Sequence, residues 1–231
     1  MSCLKEKSIL SFEDARDYFP LQPGKFIVYR VDSLVYLNLG TKKETKSAIV
    51  QEKVDSIGRD NMGRITFKII QSTRNRADTN KWDFTGVYRV TPTNAGVEVV
   101  QQNQRYIRLI SPIIKDYKWK GNAHLNTTGY PELSFLNNWE YSYEQIGAPQ
   151  TINNKIYEDC INVLQNNDTI GNPGNKNFFS GISYAKEIYA RNIGLIFREI
   201  HYELWQPPNG NNSGYFEKSS FGLKFTAIRH N

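Results

Sequence analysis

The chain has 231 residues, which suffices for one large domain or two small ones with a buried core. Apolar residues make up 39% of the chain and charged residues 23%, and this balance excludes wholesale disorder. The formal net charge is +6, but the basic residues are scattered, with the densest groups within 42–46 and 115–120. We therefore expect solvated surface and no nucleic-acid partner, while a weak attraction to an anionic membrane surface stays open.

The aromatic content is high, with 14 Tyr, 12 Phe and 4 Trp. Large aromatic side chains fit pleated, half-buried surfaces, so this content favours β structure, although it also suits a surface on which a ligand stacks. No stretch approaches the roughly 18 uninterrupted apolar residues that a membrane-spanning helix requires. The first residues also lack the charged region and apolar core of a secretory signal.

The first predicted elements are a short helix and a long strand. In SFEDARDYF, Ser11 suits the N-cap, and Pro20 ends the helix. The turn QPG then leads into a strand over 26–37, in which Tyr29 shares one face with other apolar residues and Arg30 points the other way.

Alternation of apolar and polar residues recurs along the chain at 65–69, 139–143 and 221–227. Less regular strands are predicted at 45–56, 84–91, 96–109 and 156–165. Strands with one polar face are typical of antiparallel sheets. The stretch 152–164 also fits a helical stripe, but its β-branched content and a turn signal at 153–154 favour a strand from Ile156.

Two loops, 166–177 and 206–214, are rich in Gly, Pro and Asn, and the second interrupts a predicted hairpin near the C-terminus. No repeat period and no linker divides the chain. The expected fold is mainly β: a single antiparallel, strongly curved sheet resembling a half-barrel, or a β-sandwich, with one short N-terminal helix. We expect residues 1–16 to form an N-terminal tether and the start of the helix, and 17–231 to form one β-rich domain.

The two cysteines lie in unlike surroundings. Cys3 follows a small residue in SCLKEKS, which resembles the junction that remains when a bacterial lipoprotein signal is removed and the cysteine carries the lipid. The alternative is a chance cysteine near a chain end. Cys160 lies inside KIYEDCINVL, and we expect no disulfide between the two, because nothing indicates a small disulfide-stabilised scaffold.

Four stretches together resemble one family. They are YFPLQPGKFIVYRV (18–31), LISPIIKDYKWKGN (109–122), KIYEDCINV (155–163) and EIYARNIGLIFREIHYEL (187–204). Their content and order are similar to those of the β-rich lipoproteins of Bacteroidetes type, an uncharacterised envelope family, over about a quarter of the chain. Phe26 and Ile27 stand where the family often has Trp, which affects packing. Asn192 stands where it often has Gly, and Asn still permits a left-handed turn.

The resemblance implies an envelope-exposed domain that is anchored to the membrane through Cys3 and has no established activity. The expected location is the cell envelope, as an outer-membrane lipoprotein that faces the periplasm or the surface. The resemblance also implies that Cys160 is a packed strand residue and not a nucleophile, which is the physical default for a buried thiol.

Candidates for chemistry are few. Glu199, His201 and Glu203 in REIHYEL share one face of a predicted strand and could ligate a metal. Residues two apart on a strand lie roughly 6.5 to 7 Å apart, so the three converge poorly, and a solvated polar face is the favoured interpretation. No Gly-rich phosphate loop, paired Cys ligands or nucleophile elbow occurs. The acids beside Cys160 would raise the pKa of its thiol, which argues against a cysteine nucleophile. From these observations together we expect no enzyme, no metal and no cofactor.

Three Asp-Ser/Thr-aliphatic stretches, at 32–34, 55–57 and 168–170, look like the acceptor of Bacteroidetes O-glycosylation. The first two lie in predicted strands, which argues against their modification. Thr169 lies in a predicted loop and is the favoured candidate for glycosylation.

The sequence therefore predicts a non-enzymatic ligand-binding or interaction module. A curved sheet with one apolar face offers a concave site for a lipid or another apolar small molecule. Exposed tryptophans could stack on a glycan or an envelope protein, and the candidates are Trp82, Trp119, Trp139 and Trp205. The alternative is a structural component of an envelope assembly without a small ligand, and a hydrolase is a distant third. A cavity that holds an acyl chain would favour the first function, and a filled core with an exposed aromatic patch the second.

Overall fold

The computed structural model describes residues 13–75, 78–211 and 213–231, so Cys3 and Ser11 lie outside the described residues. Within these ranges, two 3₁₀ helices, Ala15–Tyr18 and Pro131–Leu136, accompany thirteen strands. The first six strands are β1 (Phe26–Leu37), β2 (Lys42–Arg59), β3 (Ile65–Arg74), β4 (Trp82–Thr93), β5 (Gly96–Gln101) and β6 (Gln104–Ile110). The others are β7 (Lys118–Trp119), β8 (Tyr141–Ile152), β9 (Lys155–Ile170), β10 (Ser180–Ala190), β11 (Gly194–Gln206), β12 (Tyr215–Phe216) and β13 (Phe221–His230). No helix of the described residues is long and apolar enough to cross a membrane.

All thirteen strands belong to one sheet. Twelve follow in the order β6-β5-β4-β3-β2-β1-β13-β11-β10-β9-β8-β7, and β12 pairs with β11. The C-terminal strand β13 lies between β1 and β11 and pairs with both in antiparallel fashion. It therefore joins two runs of consecutive antiparallel strands, and the long crossovers that parallel pairing requires are not needed.

The chain connectivity forces this sheet to curl. β6 and β7 are at the two ends of the strand order, yet only residues 111–117 connect them. That connection spans at most about 30 Å when it is extended. In a flat sheet of this many strands, the two edges would lie about 50 Å apart. The edges must therefore approach each other, and the sheet forms one nearly closed barrel.

The two edges meet along a seam that side chains and loop backbone bridge. The Tyr143 hydroxyl on β8 donates to Ile110 O of β6 at 2.7 Å and accepts from Ile110 N at 2.9 Å. Trp119 Nε1 donates to Ile107 O at 3.0 Å, and Ile107 N donates to Gly121 O at 2.8 Å. These bonds occupy backbone groups that an open sheet edge would present to other chains.

The prediction of a curved antiparallel sheet is confirmed. Of the two predicted alternatives, the structure has the single sheet and not the β-sandwich. β1 covers the predicted range 26–37, with Tyr29 buried and Arg30 exposed. The ambiguous stretch from Ile156 is a strand, within β9. Asn192 precedes β11 with a φ of 60°, the left-handed conformation that Asn tolerates.

Several boundaries differ from expectation. The range predicted as one strand, 96–109, forms β5 and β6, because Gln102 and Asn103 adopt φ values of 50° and 60° and make a two-residue hairpin turn. β9 continues to Ile170, so the loop expected from residue 166 begins later. The N-terminal helix is a single 3₁₀ turn capped by Asp14, whose carboxylate accepts from Arg16 N at 2.9 Å.

Aromatic and branched side chains fill the interior of the barrel. Strands from both halves of the sheet contribute buried residues to one cluster, among them Val90, Leu109, Tyr143, Val163 and Tyr189. Burial of such side chains provides most of the favourable free energy of folding. Because the cluster contains side chains from both sides of the seam, packing as well as hydrogen bonding closes the barrel.

The first 3₁₀ helix crosses one end of the barrel. Just before it, Glu13 O accepts from Ile113 N in the β6–β7 connection at 3.2 Å. Asp17 O accepts from Asn192 N in the β10–β11 turn at 2.8 Å. Tyr18 has no exposed area and packs into the barrel cluster. The segment therefore bridges this end of the barrel and covers part of its interior.

Replacing Tyr143 with phenylalanine removes the hydroxyl that bridges the backbone groups of Ile110. We expect the free energy of unfolding to fall by about 1–3 kcal/mol, the cost of leaving buried polar groups unpaired. Urea denaturation followed by circular dichroism measures this change. The control is Tyr117→Phe, at a side chain that is 51% exposed, and an equal loss in both variants would contradict the bridging role.

Candidate ligand-binding site

A cavity of about 70 Å³ lies inside the barrel, next to the segment that follows the first helix. Buried side chains line its inner part, including Val54, Ile69 and Val99. Partly exposed side chains such as Phe19 and Leu21 line its outer part. The cavity therefore has apolar walls and opens towards solvent beside the N-terminal segment.

Next to the cavity, a buried carboxylate joins three strands. Glu187 of β10 has no exposed area. Arg198 Nε of β11 donates to Glu187 Oε1 at 2.6 Å, and Arg108 Nη1 of β6 donates to the same oxygen at 3.2 Å. The Tyr189 hydroxyl donates to Glu187 Oε2 at 2.5 Å. The carboxylate thus connects β6, β10 and β11 across the barrel interior.

Burial and neighbouring charge act on this network in opposite directions. Burial raises the pKa of Glu187, but the charges of Arg198 and Arg108 outweigh it and hold the pKa below its ordinary value of 4.5. Burial lowers the pKa of the Arg198 guanidinium, but Glu187 outweighs that effect and raises the pKa overall. Burial also raises the pKa of Tyr189. Near neutral pH the network is therefore a carboxylate, two guanidinium ions and a neutral phenol.

A second acid lines the cavity directly. Glu52 of β2 accepts from the Tyr88 hydroxyl at 2.8 Å and from Gln71 Nε2 at 3.1 Å. Burial raises the pKa of Tyr88, so its hydroxyl stays neutral and donates. The hydroxyl of Tyr29, another lining residue, donates to Leu195 O at 2.8 Å. The polar groups of Glu52, Tyr88 and Tyr29 thus have protein partners.

One donor at the cavity wall differs from these neighbours. Arg108 is 8% exposed and lines the cavity, and its Nε is a buried nitrogen without a hydrogen-bond partner among the described residues. An unpaired buried donor costs about 1–3 kcal/mol. Arg198 and Lys25 also line the cavity, and Glu52 is the acid that faces them there. The cavity wall therefore carries three basic side chains and one acid, while the unpaired Arg108 Nε itself is shielded from solvent.

Arg191 fixes the segment beside the cavity. Its Nη1 donates to Asp17 Oδ2 at 2.7 Å, its Nη2 donates to the Tyr18 hydroxyl at 3.1 Å, and its Nε donates to Asp159 of β9. Glu13 Oε1 lies 3.1 Å from Nη2. One guanidinium thus holds the first helix against the β10–β11 turn, so that the wall of the cavity on this side is fixed.

The metal candidates are engaged in other contacts. Glu203 accepts from Lys43 Nζ at 2.5 Å and from the Tyr36 hydroxyl, and its Oε1 lies 2.9 Å from His201 Nε2. Burial raises the pKa of Glu203, but the neighbouring His201, Lys43 and Tyr36 groups outweigh it and lower the pKa to about 2. Glu199 lies across from Lys186 and Lys224 on the neighbouring strands. Within the part of the chain that the structure describes, no group of three or more His, Cys, Asp or Glu side chains could hold a metal ion.

The four tryptophans do not converge on one surface. Trp119 and Trp139 are 9% and 3% exposed and belong to the barrel core, so their rings are not available to a glycan or a partner. The Arg74 guanidinium lies 5.3 Å from the ring of Trp82. Lys176 Nζ lies 4.8 Å from the ring of Trp205, whose Nε1 donates to Lys176 O at 3.0 Å.

Cys160 is confirmed as a packed strand residue. It is a free cysteine and 1% exposed, within β9. Burial raises the pKa of its thiol to about 11, and the charges of Asp159 and Glu158 act in the same direction. A thiol with this pKa is protonated at neutral pH and is a poor nucleophile.

The prediction that Thr169 lies in a loop is wrong. It lies in β9 opposite Ile182 of β10, and the expected loop begins after it, because the hairpin ladder continues to Ile170. The side chain of Thr169 is exposed, so it is accessible, but the loop placement that favoured it over the other two acceptor sequences no longer holds.

Sequence reasoning missed the residues around the cavity. Arg108, Glu187, Arg198 and Glu52 come from four strands that are distant in sequence. The sequence did contain an indication for Glu187, because its side chain lies on the same face of β10 as the buried residues Ala185 and Tyr189. A charged residue on the apolar face of a strand must find a partner in the core.

Comparisons with known proteins give structural likeness only. No protein-family model and no curated protein matches the chain. A protein described as a putative lipoprotein from Parabacteroides distasonis is 12% identical, with 95% of this chain and 100% of that chain covered and a TM-score of 0.46. A protein described as a putative exported protein with YmcC-like fold from Bacteroides fragilis is 10% identical, with 92% and 97% covered and a TM-score of 0.36.

A domain described as a putative outer membrane lipoprotein-sorting protein domain from Vibrio parahaemolyticus is 8% identical, with 90% of this chain and 85% of that chain covered and a TM-score of 0.21. The similar solved structures thus include proteins of Bacteroidetes that are described as a lipoprotein and as an exported protein. Likeness at this level carries no ligand, partner or activity over to this chain.

Replacing Glu187 with glutamine keeps the shape of the side chain but leaves Arg108 and Arg198 without their shared negative charge. We expect the free energy of unfolding at neutral pH to fall by about 3–5 kcal/mol, the cost of uncompensated buried charge. Because the folded-state pKa of Glu187 lies below its ordinary 4.5, the carboxylate stabilises the fold above that pH, and this contribution is lost as the pH falls further. The difference in the free energy of unfolding between the wild type and Glu187→Gln, measured by urea denaturation, should therefore become smaller at acidic pH.

The control for this measurement is Glu144→Gln. The Glu144 carboxylate is 40% exposed and lies 3.5 Å from Lys186 Nζ. Its replacement should change the free energy of unfolding by less than about 1 kcal/mol. A Glu187→Gln protein that matches the wild type at neutral pH would contradict the role given to Glu187.

Proposed function

We propose that the chain is the β-rich domain of a bacterial cell-envelope lipoprotein, anchored through Cys3, that binds a small ligand without catalysing a reaction. The observation that carries the ligand-binding part is the cavity at one end of the barrel, whose wall combines apolar side chains with Arg198, Lys25 and Glu52. The anchoring part rests on the sequence SCLKEKS and on the resemblance of four other stretches to envelope lipoproteins. Outer-membrane placement belongs to the same proposal.

The chemistry of the cavity supports binding over catalysis. Its acids and phenols are engaged with one another or with backbone, and Glu187 carries three hydrogen bonds that stabilise its ionised form. A general base works best with a pKa near the operating pH and with free access to a substrate proton. Glu187 is held ionised with a lowered pKa, and burial raises the pKa of the phenols of Tyr88 and Tyr189.

The size of the cavity argues against a lipid acyl chain as the ligand. Pockets for drug-sized ligands measure about 300–1,000 Å³. The cavity of this barrel measures about 70 Å³, since aromatic side chains fill the rest of the interior. The ligand that this space supports is therefore a small molecule of a few non-hydrogen atoms.

A second function, as a structural component of an envelope assembly, has one observation in its favour. Ile170, Phe178 and Phe179 in and beside the β9–β10 connection are 50%, 66% and 41% exposed. Exposed apolar side chains grouped in one connection are suited to contact with a partner protein. This function is compatible with anchoring through Cys3 but needs no ligand in the cavity.

The anchoring part predicts an acylated Cys3. The precursor protein, expressed in its own cells, should appear in the membrane fraction with an acyl-chain mass increment at Cys3 by mass spectrometry. Cys3→Ser should lose both properties, because the thiol carries the lipid. Cys160→Ser is the matched control and should keep both, and an unmodified Cys3 in the wild type would remove the anchoring part.

The ligand part predicts a companion molecule. Native mass spectrometry of the protein purified from its own cells should show a bound small molecule in stoichiometric amount. Val99→Phe fills the cavity and should abolish retention of the small molecule. The free energy of unfolding of this variant should fall by about 1–3 kcal/mol. Val100→Phe, at the next position of β5, is the control and should retain the molecule. Absence of any companion from the wild type would favour the assembly function.

A further inference from the structure

Four basic side chains lie at the end of the barrel that the first helix crosses. They come from the residue before β1 and from β2, β9 and β13, and they are Lys25, Lys53, Lys155 and Arg229. The last three are exposed, and Lys25 is partly exposed. We infer that this basic cluster docks the domain onto an anionic phospholipid surface. The inference rests on the proposed function for the presence of a membrane, and it adds a second contact to the lipid on Cys3.

Contacts around the start of β1 bring these side chains together. Phe26 lies opposite Lys53 in the β1–β2 ladder, and the Arg229 guanidinium lies 5.3 Å from the Phe26 ring. Successive side chains of a strand alternate between its faces, so His230 points to the other side. There Lys155 Nζ lies 2.7 Å from His230 Nε2. The cluster therefore surrounds the first residues of β1 and forms a basic rim at this end of the barrel.

The contacts of the cluster leave most of its charge without compensation. Lys25 Nζ donates to a backbone oxygen, Asn192 O, at 2.9 Å. Lys155 contacts an imidazole ring, and Arg229 contacts a phenyl ring. Glu158, an exposed acid on β9, offsets at most one of the four positive charges. An anionic partner would therefore gain attraction here without displacing an existing ion pair.

Two of these charges act on the same side chain. Burial lowers the pKa of His230 below its ordinary value of 6.5, and the charges of Lys155 and Lys25 lower it further. The imidazole is therefore neutral at neutral pH, and its Nε2 accepts from Lys155 Nζ. Lysines from two distant segments thus produce positive potential at one point, and an anionic surface would offset their repulsion.

Exposed aliphatic side chains next to the basic ones favour a membrane over a soluble anion. Ile156 follows Lys155 and is 64% exposed, and Ile228 precedes Arg229 and is 41% exposed. Basic and aliphatic side chains side by side suit the boundary between phospholipid headgroups and acyl chains. A soluble anion would contact the charges but would leave the aliphatic side chains in water.

The N-terminal segment meets the barrel at this same end. Glu13, the first described residue, lies 3.1 Å from Arg191 in the β10–β11 turn, and Lys25 bonds the next residue of that turn. Glu13 follows Cys3 by ten residues, and a chain of that length spans at most about 35 Å. A lipid on Cys3 would therefore keep the basic cluster close to the membrane. Under this restraint, weak individual attractions are sufficient for docking.

Vesicle flotation of purified Cys3→Ser protein tests the cluster without the lipid anchor. The protein should bind vesicles of phosphatidylcholine that contain about 30% phosphatidylglycerol, because these carry negative surface charge. It should not bind vesicles of phosphatidylcholine alone. Binding to the anionic vesicles should weaken as the salt concentration rises from about 0.1 to about 0.5 M, since salt screens the attraction.

A triple variant locates the contact on the cluster. It carries Lys53→Gln, Lys155→Gln and Arg229→Gln, all at exposed positions, and leaves Lys25 unchanged because that side chain also lines the cavity. Its affinity for anionic vesicles should fall at least about thirtyfold, since each basic side chain near such a surface contributes about fivefold. In addition, Ile156→Ser should weaken binding about three- to tenfold through lost aliphatic contact.

The control variant has the same net charge but loses its charges elsewhere. It carries Lys42→Gln, Lys46→Gln and Lys218→Gln, which are exposed positions outside the cluster. Its affinity should stay within about threefold of the starting protein, because only distant, screened attraction is lost. Circular dichroism of both triple variants verifies that they fold.

Three results would overturn the inference: equal binding of the two vesicle types, equal losses in the two triple variants, or binding of inorganic phosphate without binding of any vesicle. Acylation of Cys3 in cells is measured separately, so the two failures can be told apart. An acylated Cys3 without vesicle binding by the Cys3→Ser protein would leave the anchor and remove the docking surface. Vesicle binding together with an unmodified Cys3 would leave the docking surface and remove the anchor.

Discussion

Glu187 holds the two halves of the barrel together from the inside. Arg108 lies on the edge strand β6, whereas Arg198 and Tyr189 lie on β11 and β10 of the other half. A buried carboxylate is costly unless several donors surround it, and here two guanidinium groups and a hydroxyl do so. The curl of the sheet and the network depend on each other, because only the closed barrel brings β6 within reach of β10.

The same network leaves part of its hydrogen-bonding capacity unused inside the barrel. Each guanidinium has five N–H groups in a fixed plane, and one carboxylate cannot satisfy two such groups. Glu187 Oε1 accepts from both Arg108 and Arg198, which leaves surplus donors that point elsewhere. One of them, Arg108 Nε, stays buried without a hydrogen-bond partner among the described residues, and the Arg108 guanidinium lies 4.6 Å from the ring of Tyr106. The barrel therefore bears the cost of an unpaired donor in order to hold Glu187 between two guanidinium groups.

The sequence was sufficient for most strands, since alternation shows directly which side chains face the interior, as at Tyr141 and Tyr143. The break between β5 and β6 was missed because Gln102–Asn103 is not among the Asn-Gly or Asp-Gly pairs that mark tight hairpins. The cavity could not be predicted for a different reason. The position of Glu187 on the apolar face of its strand indicated that it needs a partner in the core. Which arginines it contacts depends on the strand order, because pairings between distant segments set that order.

The two ends of the barrel differ, because the N-terminal segment packs against only one of them. The first helix lies beside the cavity at one end of the barrel. β10 runs from the connection that carries Phe178 and Phe179 to the turn that binds the first helix, over about 35 Å. The cavity and the exposed apolar connection therefore lie near opposite ends of β10, so a ligand in the cavity and a partner at that connection would not compete for one surface.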